Sequence, residues 1–177
     1  MLTFTYIIIK SIVFLFLYTL FHFAHDYVRW PIFAISESIW EHLKIAYYVA
    51  ILLAVGELFV VSVILDNTVS VTSLLFTRLI GALLVVPIIF LFFYFMYAAF
   101  GVIKHKVIKV VSVVTLTWAG GLCAYYFEVL AFQYPIEQNA SPLIILVVLA
   151  LMLLFLFVRF TKHIPKYPVF EEVVIKR

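Results

Sequence analysis

The segment from Ser36 to Lys44 holds the densest group of chemically capable side chains in this chain. It reads Ser-Glu-Ser-Ile-Trp-Glu-His-Leu-Lys and combines two carboxylates, a histidine, a lysine and two hydroxyls. Shortly before it, His22, His25 and Asp26 end the first apolar stretch. Histidine and carboxylate side chains can exchange protons or bind metal ions, so both groups are candidates for chemistry.

The first apolar stretch carries polar residues at helical spacing. Tyr18, His22 and His25 follow an i, i+4, i+7 pattern, which puts them on one face of a helix. Asp26 lies at the edge of that face, and Lys10 extends it toward the N-terminus. We therefore predict a polar seam on the first helix that faces other helices rather than lipid.

A polar site is predicted where this seam meets the second group. It would be formed by His22, His25, Asp26, Glu37 and His42. His22 and His25 could both bind a metal ion, with Asp26 as a third ligand or as the hydrogen-bond partner of a ligand. The alternative is that a histidine at the end of a span only forms a hydrogen bond or reaches toward the membrane surface.

Other residues of the segment have a structural explanation. Ser38 and Glu41 have the spacing of a capping box, in which each side chain bonds a backbone N–H near the other residue. The helix would then begin at Ile39. Trp40 fits an anchor at the membrane surface, and Lys44 fits a surface ion pair or a contact with lipid phosphate. We therefore predict capping and interface roles for these four side chains.

Composition identifies the bilayer as the solvent of this protein. The chain has 177 residues, of which 67% are hydrophobic and 12% are charged, and its mean hydropathy is +1.24. Soluble domains are about 45–50% apolar and about 25% charged. The net charge of +3 does not indicate nucleic-acid binding, because the basic residues cluster beside apolar stretches, where they orient membrane proteins. The single cysteine, Cys123, excludes an intrachain disulfide.

Five apolar stretches are close to the length that crosses a hydrocarbon core of about 30 Å. They cover approximately residues 2–24, 43–65, 71–101, 107–132 and 143–160. We predict an all-α membrane bundle of five transmembrane helices, with an interfacial or partly re-entrant loop between the first two. The transmembrane domain would cover residues 1–160 and a tail residues 161–177. Pro87 and the length of the third stretch indicate a tilt or a kink.

The distribution of lysine and arginine predicts the orientation. The first loop, the third loop and the tail contain these residues, whereas the second and fourth loops contain none. Five spans place the three basic regions on one side of the membrane, which is the cytoplasmic side by the positive-inside rule. We therefore predict a multi-pass protein of the cell membrane with its N-terminus outside and its tail in the cytoplasm.

Four charged residues lie at least one helical turn inside the ends of the predicted spans, namely Lys10, Glu57, Arg78 and Glu128. Charges at membrane depth are rare and are usually paired. Glu57 and Arg78 lie about 10–12 Å below the outer end of their helices at 1.5 Å per residue, so we predict an ion pair between them. The four charges sum to zero. They form either a neutral clasp that locates four helices or a polar cavity open to the outside.

The segment from Ser36 to Lys44 resembles the characteristic sequence motif of an uncharacterised family of small prokaryotic polytopic membrane proteins. That motif is N/S-E-S-V/I-W-E-H-x-K, and it follows a first span that ends in His-Phe, here His22-Phe23. Glu57 fits a glutamate of the family's second span, and Ser36 replaces the more usual asparagine. The ending is similar at Phe160, Thr161, Pro165, Pro168 and Phe170. The resemblance implies a helical membrane fold and supplies no activity.

Three functional hypotheses follow. The first is a module that binds or transports a solute, an ion or a lipid through a polar site at the cytoplasmic end of the first helix. The second is a membrane-embedded enzyme, with or without a metal ion, that acts on a lipid or a small amphiphile. The third is a structural or accessory subunit. We expect membrane lipids as partners and no nucleic acid, and a second copy or another membrane protein as further candidates.

Overall fold

The computed structural model describes residues 2–24, 38–64, 70–101, 103, 105–133, 141–163 and 165. Within these ranges the chain forms five α-helices: α1 (Leu2–Ala24), α2 (Ile39–Ile64), α3 (Val71–Phe100), α4 (Lys106–Ala131) and α5 (Ser141–Lys162). All five are long and apolar enough to cross a membrane. The predicted five-helix membrane bundle is therefore confirmed. The proposed re-entrant loop between α1 and α2 falls on residues 25–37, outside the described ranges.

Local signals explain where the helices begin and end. α2 begins after Ser38, whose hydroxyl oxygen accepts a hydrogen bond from the backbone N–H of Glu41 at 3.3 Å. α3 begins after Ser70, whose side chain accepts a backbone N–H from the first turn. It ends at Gly101, where φ is +65°, a conformation that other residues rarely adopt. Pro87 lies inside α3, which continues through it as one helix.

α1 separates its residues into a buried stripe and a lipid-facing surface. The buried positions are Ile7, Lys10, Ser11, Phe14 and Tyr18. Apart from Thr5, the exposed positions are large and apolar: Phe4, Ile9, Ile12, Val13, Phe16, Leu20 and Phe23. Because a lipid-facing surface has no water to solvate polar groups, this separation places the polar seam of α1 inside the bundle.

The middle of the bundle is an apolar layer in which the helices pack closely. Gly120 of α4 lies against Ile89 of α3, and Gly121 lies against Phe14 of α1. A Cβ atom on Gly121 would come within 2.8 Å of the Phe14 ring, so this approach requires glycine. The layer also contains Val85, which is fully buried like Phe14 and Ile89.

α5 packs on the periphery and is held mainly through three buried residues. Ala150, Phe157 and Thr161 face the bundle, whereas most of its other side chains are exposed. The carbonyl of Ala150 accepts a hydrogen bond of 2.7 Å from the hydroxyl of Tyr47 on α2. The ring of Phe157 lies 4.7 Å from that of Trp40 and 5.4 Å from that of Tyr47. These side-chain contacts join α5 to the N-terminal half of α2, while the backbone of α5 packs most closely against α3.

Candidate functional site

Two polar clusters occupy opposite ends of the bundle. We call the first the charge cluster; it consists of Tyr6, Lys10, Glu57, Arg78 and Glu128. We call the second the histidine cluster; it consists of Tyr18, His22 and His42. The apolar layer around Phe14 separates the two.

Lys10 is the centre of the charge cluster. Its ammonium nitrogen lies 2.8 and 2.9 Å from the two carboxylate oxygens of Glu128 and 2.9 Å from an oxygen of Glu57. The guanidinium of Arg78 forms ion pairs with both carboxylates. Two positive and two negative groups from four helices therefore meet and neutralise one another. The structure brings together all four of the charges found inside the predicted spans.

Tyr6 is a member of the charge cluster that sequence reasoning missed. Its hydroxyl oxygen lies 2.9 Å from Glu57 and from Glu128, and 3.1 Å from the ammonium of Lys10. A phenol has one proton to donate, so the two carboxylates share it or compete for it. The guanidinium of Arg78 also lies over the Tyr6 ring, 5.4 Å from its centre. The available signal was spacing, because Tyr6 precedes Lys10 by one helical turn.

The charge cluster is closed on one side and partly open on the other. The side chain of Glu128 is 1% exposed, whereas that of Glu57 is 24% exposed. Glu128 fits because the facing residue of α3 is Gly81, whose missing side chain leaves room for the carboxylate. The cluster therefore reaches the surface through Glu57 and the half-buried Tyr6 rather than through Glu128.

In the histidine cluster, aromatic rings from three helices stack on one another. The imidazoles of His22 and His42 have their centres 5.1 Å apart with 23° between their planes. Phe93 of α3 stacks on His42 at 5.6 Å. The hydroxyl of Tyr18 lies 2.6 Å from Nδ1 of His42. His42 is buried and His22 is half-buried, so the cluster reaches the end of the bundle through His22.

The tyrosine–histidine contact can adapt to either charge state of the imidazole. When Nδ1 of His42 is unprotonated, the Tyr18 hydroxyl donates to it, and when Nδ1 carries a proton, the hydroxyl oxygen accepts. Histidine is the side chain whose charge changes most readily near neutral pH. The hydrogen bond between Tyr18 and His42 therefore forms with either tautomer of the imidazole.

The first turn of α2 also binds α5 through a second set of contacts. The ammonium of Lys44 lies 2.6 Å from a carboxylate oxygen of Glu41 and donates a hydrogen bond of 3.1 Å to the hydroxyl of Thr161. That hydroxyl donates in turn to the carbonyl of Phe157 at 2.8 Å. The i, i+3 pairing of Lys44 with Glu41 agrees with the sequence spacing, but the pair is buried rather than on the protein surface, because the Lys44 side chain is 0% exposed. The ammonium turns inward since Glu41 and Thr161 solvate it there.

Ser38 and Trp40 complete the description of this turn. Ser38 caps α2, and the carboxylate of Glu41, its partner in the predicted capping box, is paired with Lys44. Trp40 is half-buried, with its ring 4.7 Å from Phe157 and 5.4 Å from Phe160 of α5. The first turn of α2 thus contacts α5 with one face, while His42 contacts α1 and α3 with another.

The chain matches the family of unknown function DUF6512 over residues 2–177. It belongs to that family. Neither the curated proteins nor the solved structures that were searched contain a match to this DUF6512 chain. The family supplies a classification without an activity, so the function of this DUF6512 member has to be argued from its own geometry.

Part of the predicted polar site of this DUF6512 chain lies in the segment between α1 and α2. His25, Asp26 and Glu37 are outside the described residues, so their place beside His22 and His42 stays a prediction. The same holds for a metal ion bound by His22, His25 and Asp26. Within the described ranges, no group of three histidine, cysteine, aspartate or glutamate residues is arranged to hold a metal ion.

Proposed function

We propose that this DUF6512 protein is a membrane-embedded binding module that holds a small anionic solute at the histidine cluster. The observation that carries the proposal is the stacking of His22 on His42 at 5.1 Å, with the Tyr18 hydroxyl 2.6 Å from Nδ1 of His42. Ionisable side chains at membrane depth are costly and commonly mark sites for ligands, ions or protons.

The distance between the two imidazoles supports an anionic ligand. A second proton on the pair would place two positive charges about 5 Å apart in a medium of low dielectric constant, which strongly disfavours it. An anion beside the half-buried His22 would offset that repulsion and favour protonation. Binding of the solute should therefore be accompanied by uptake of a proton.

The charge cluster is better explained as a structural ion-pair network than as a binding site. This supports placing the solute at the histidine cluster. Each charged group in it has a partner of opposite sign within 2.9 Å. An anion would have to displace Glu57 or Glu128 from Lys10 and Arg78. A cation would have to displace Lys10 or Arg78 from the two glutamates. We propose that this cluster locates α1, α2, α3 and α4 relative to one another.

The apolar layer favours binding at one end over passage through the bundle. Phe14, Val85 and Ile89 are fully buried and lie between the two clusters on α1 and α3. An ion that crossed this layer would lose its hydration without gaining polar partners there. The proposed module therefore receives and releases its solute at the same end.

The orientation is part of the proposal. Lys109 near the start of α4 and Arg159 and Lys162 in the last turn of α5 lie at the end of the bundle that carries the histidine cluster. By the positive-inside rule this end faces the cytoplasm. A green fluorescent protein fused after Arg177, which fluoresces only when it folds in the cytoplasm, should be bright. A dark, fully expressed fusion would reverse the orientation.

The binding proposal is tested by native mass spectrometry of the purified protein at pH 6 and pH 8, with inorganic phosphate and acetate as probe anions. We expect an adduct with one of these anions that is stronger at pH 6 and is lost in H22Q and H42Q. His163→Gln is the matched control, because His163 is an exposed histidine outside the cluster. Equal anion adducts in the wild type, H22Q, H42Q and His163→Gln would overturn the proposal, as would the absence of an adduct at either pH.

The same preparations separate binding from the enzyme alternative. Elemental analysis of the wild type should find no stoichiometric transition metal. A metal ion that is present at one per chain and lost in H22Q would favour a metal-dependent enzyme. Thermal unfolding of each variant, followed by circular dichroism, shows whether the loss of an adduct reflects loss of the fold.

A further inference from the structure

We propose that a groove between α3 and α4 binds an acyl chain of an anionic phospholipid whose headgroup lies beside His105 and Lys109. The groove has a volume of about 650 Å³. It lies between the last part of α3 and the first part of α4, and its walls include Phe92, Phe95, Ala99, Phe100, Ile108 and Thr115. This ligand and this place differ from those of the histidine cluster.

The shape and lining of the groove suit a hydrocarbon chain. Its walls are apolar except for the hydroxyls of Ser112 and Thr115. Along α3 it extends from Phe92 to Phe100, which is about 12 Å at 1.5 Å per residue and follows the direction of a membrane-spanning helix. Phe100 at its end is 78% exposed, so the groove opens to the surroundings of the helix, which in a bilayer are lipid chains.

Positive charge collects at one end of this groove. α4 begins there, and the exposed His105 at its N-cap makes no side-chain capping bond. Lys109 follows one turn later and is partly exposed. Each lysine near an anionic lipid surface strengthens binding by about 1 kcal/mol, or about fivefold. A headgroup with a net negative charge is therefore preferred over a zwitterionic one.

The apolar groove and His42 lie on different faces of α3, whereas the charge of Lys109 is near enough to act on His42. Phe93 faces His42, whereas the neighbouring Phe92 and Phe95 line the groove. Since successive residues of a helix point in different directions, a lipid can occupy the groove without contact with His42. The lipid site can therefore be correct even if the proposed anion site is wrong.

Charge recognition is tested by native mass spectrometry of the full chain from micelles that contain equal amounts of phosphatidylglycerol and phosphatidylcholine with identical acyl chains. We expect at least a fivefold excess of bound phosphatidylglycerol. Lys109→Gln should reduce that excess by about fivefold. Lys162→Gln, which removes an exposed lysine from α5 at the same end of the bundle, should leave it unchanged. Equal binding of the two lipids by the wild type would overturn the proposal.

The groove itself is tested by a pair of neighbouring substitutions. Ala98 and Ala99 are both exposed on α3, but only Ala99 lines the groove. Ala99→Phe should fill the groove and abolish retention of either lipid, whereas Ala98→Phe should retain both. Retention of lipid by both variants would overturn the assignment. A wild-type dimer that A99F alone dissociates would show that a second copy, not a lipid, fills the groove.

Discussion

The carboxylate of Glu128 occupies the space that a side chain on Gly81 would need. That carboxylate is held in place by the ammonium of Lys10 and the guanidinium of Arg78. The charge cluster therefore requires a glycine at position 81, although Gly81 contributes no polar side chain.

We expect Gly81→Ala to lower the free energy of unfolding by about 1–3 kcal/mol, the usual range for overpacking a buried site. The added methyl group must displace Glu128 or separate α3 from α4. Gly56→Ala is the control, because a Cβ atom there meets nothing within 4 Å. It should raise stability by about 0.5–1 kcal/mol through helix propensity. Denaturant unfolding in micelles, followed by circular dichroism, measures both, and equal effects would contradict the packing argument.

The two carboxylates of the charge cluster should differ in importance. Glu128→Gln leaves Lys10 and Arg78 with one carboxylate in a site whose glutamate is 1% exposed, and we expect a loss of about 3–5 kcal/mol. Glu57→Gln should lose less than half as much, because the Glu57 side chain is 24% exposed and Lys10 keeps its contacts with both carboxylate oxygens of Glu128. The same unfolding assay decides, and a larger loss for Glu57→Gln would contradict the predicted order.

The pair of Lys44 and Glu41 should show strong coupling. Lys44→Met removes the ammonium from a buried carboxylate, and Glu41→Gln removes the carboxylate from a buried ammonium, so each should lose about 3 kcal/mol or more. The double variant should lose less than the sum of the two by at least about 1 kcal/mol. A double-mutant cycle in the unfolding assay measures this difference, and simple additivity would show that the pair does not act as a unit.

The hydroxyl of Tyr18 should contribute measurably to the stability of the protein. Tyr18→Phe keeps the ring but leaves Nδ1 of His42 without this hydrogen bond, which should lower stability by about 1–3 kcal/mol. Tyr94→Phe is the control, because Tyr94 is 59% exposed on α3 and should change stability by less than about 0.5 kcal/mol. If both variants unfold like the wild type, the hydroxyl contributes nothing to the fold of this end.

Much of the fold could be predicted because membrane helices are specified by local composition. The five apolar stretches correspond to α1–α5, and Ser38 marks the start of α2 as the capping pattern indicates. The approach of Glu57 to Arg78 could also be anticipated, because a short connection places them at similar depths on successive helices. The contact of Lys44 with Thr161 could not be anticipated, since the two residues are 117 positions apart in sequence.

The sequence by itself determined that the chain forms five membrane-spanning helices and that its four intramembrane charges need partners. Both follow from the low polarity of the bilayer, which acts on each segment regardless of its neighbours. Only the tertiary structure decided that Tyr6 joins those charges, that Lys44 turns toward α5, and that His22 stacks on His42. These contacts depend on the rotation and spacing of whole helices, which are set by packing at glycines such as Gly81 and Gly121 rather than by local composition.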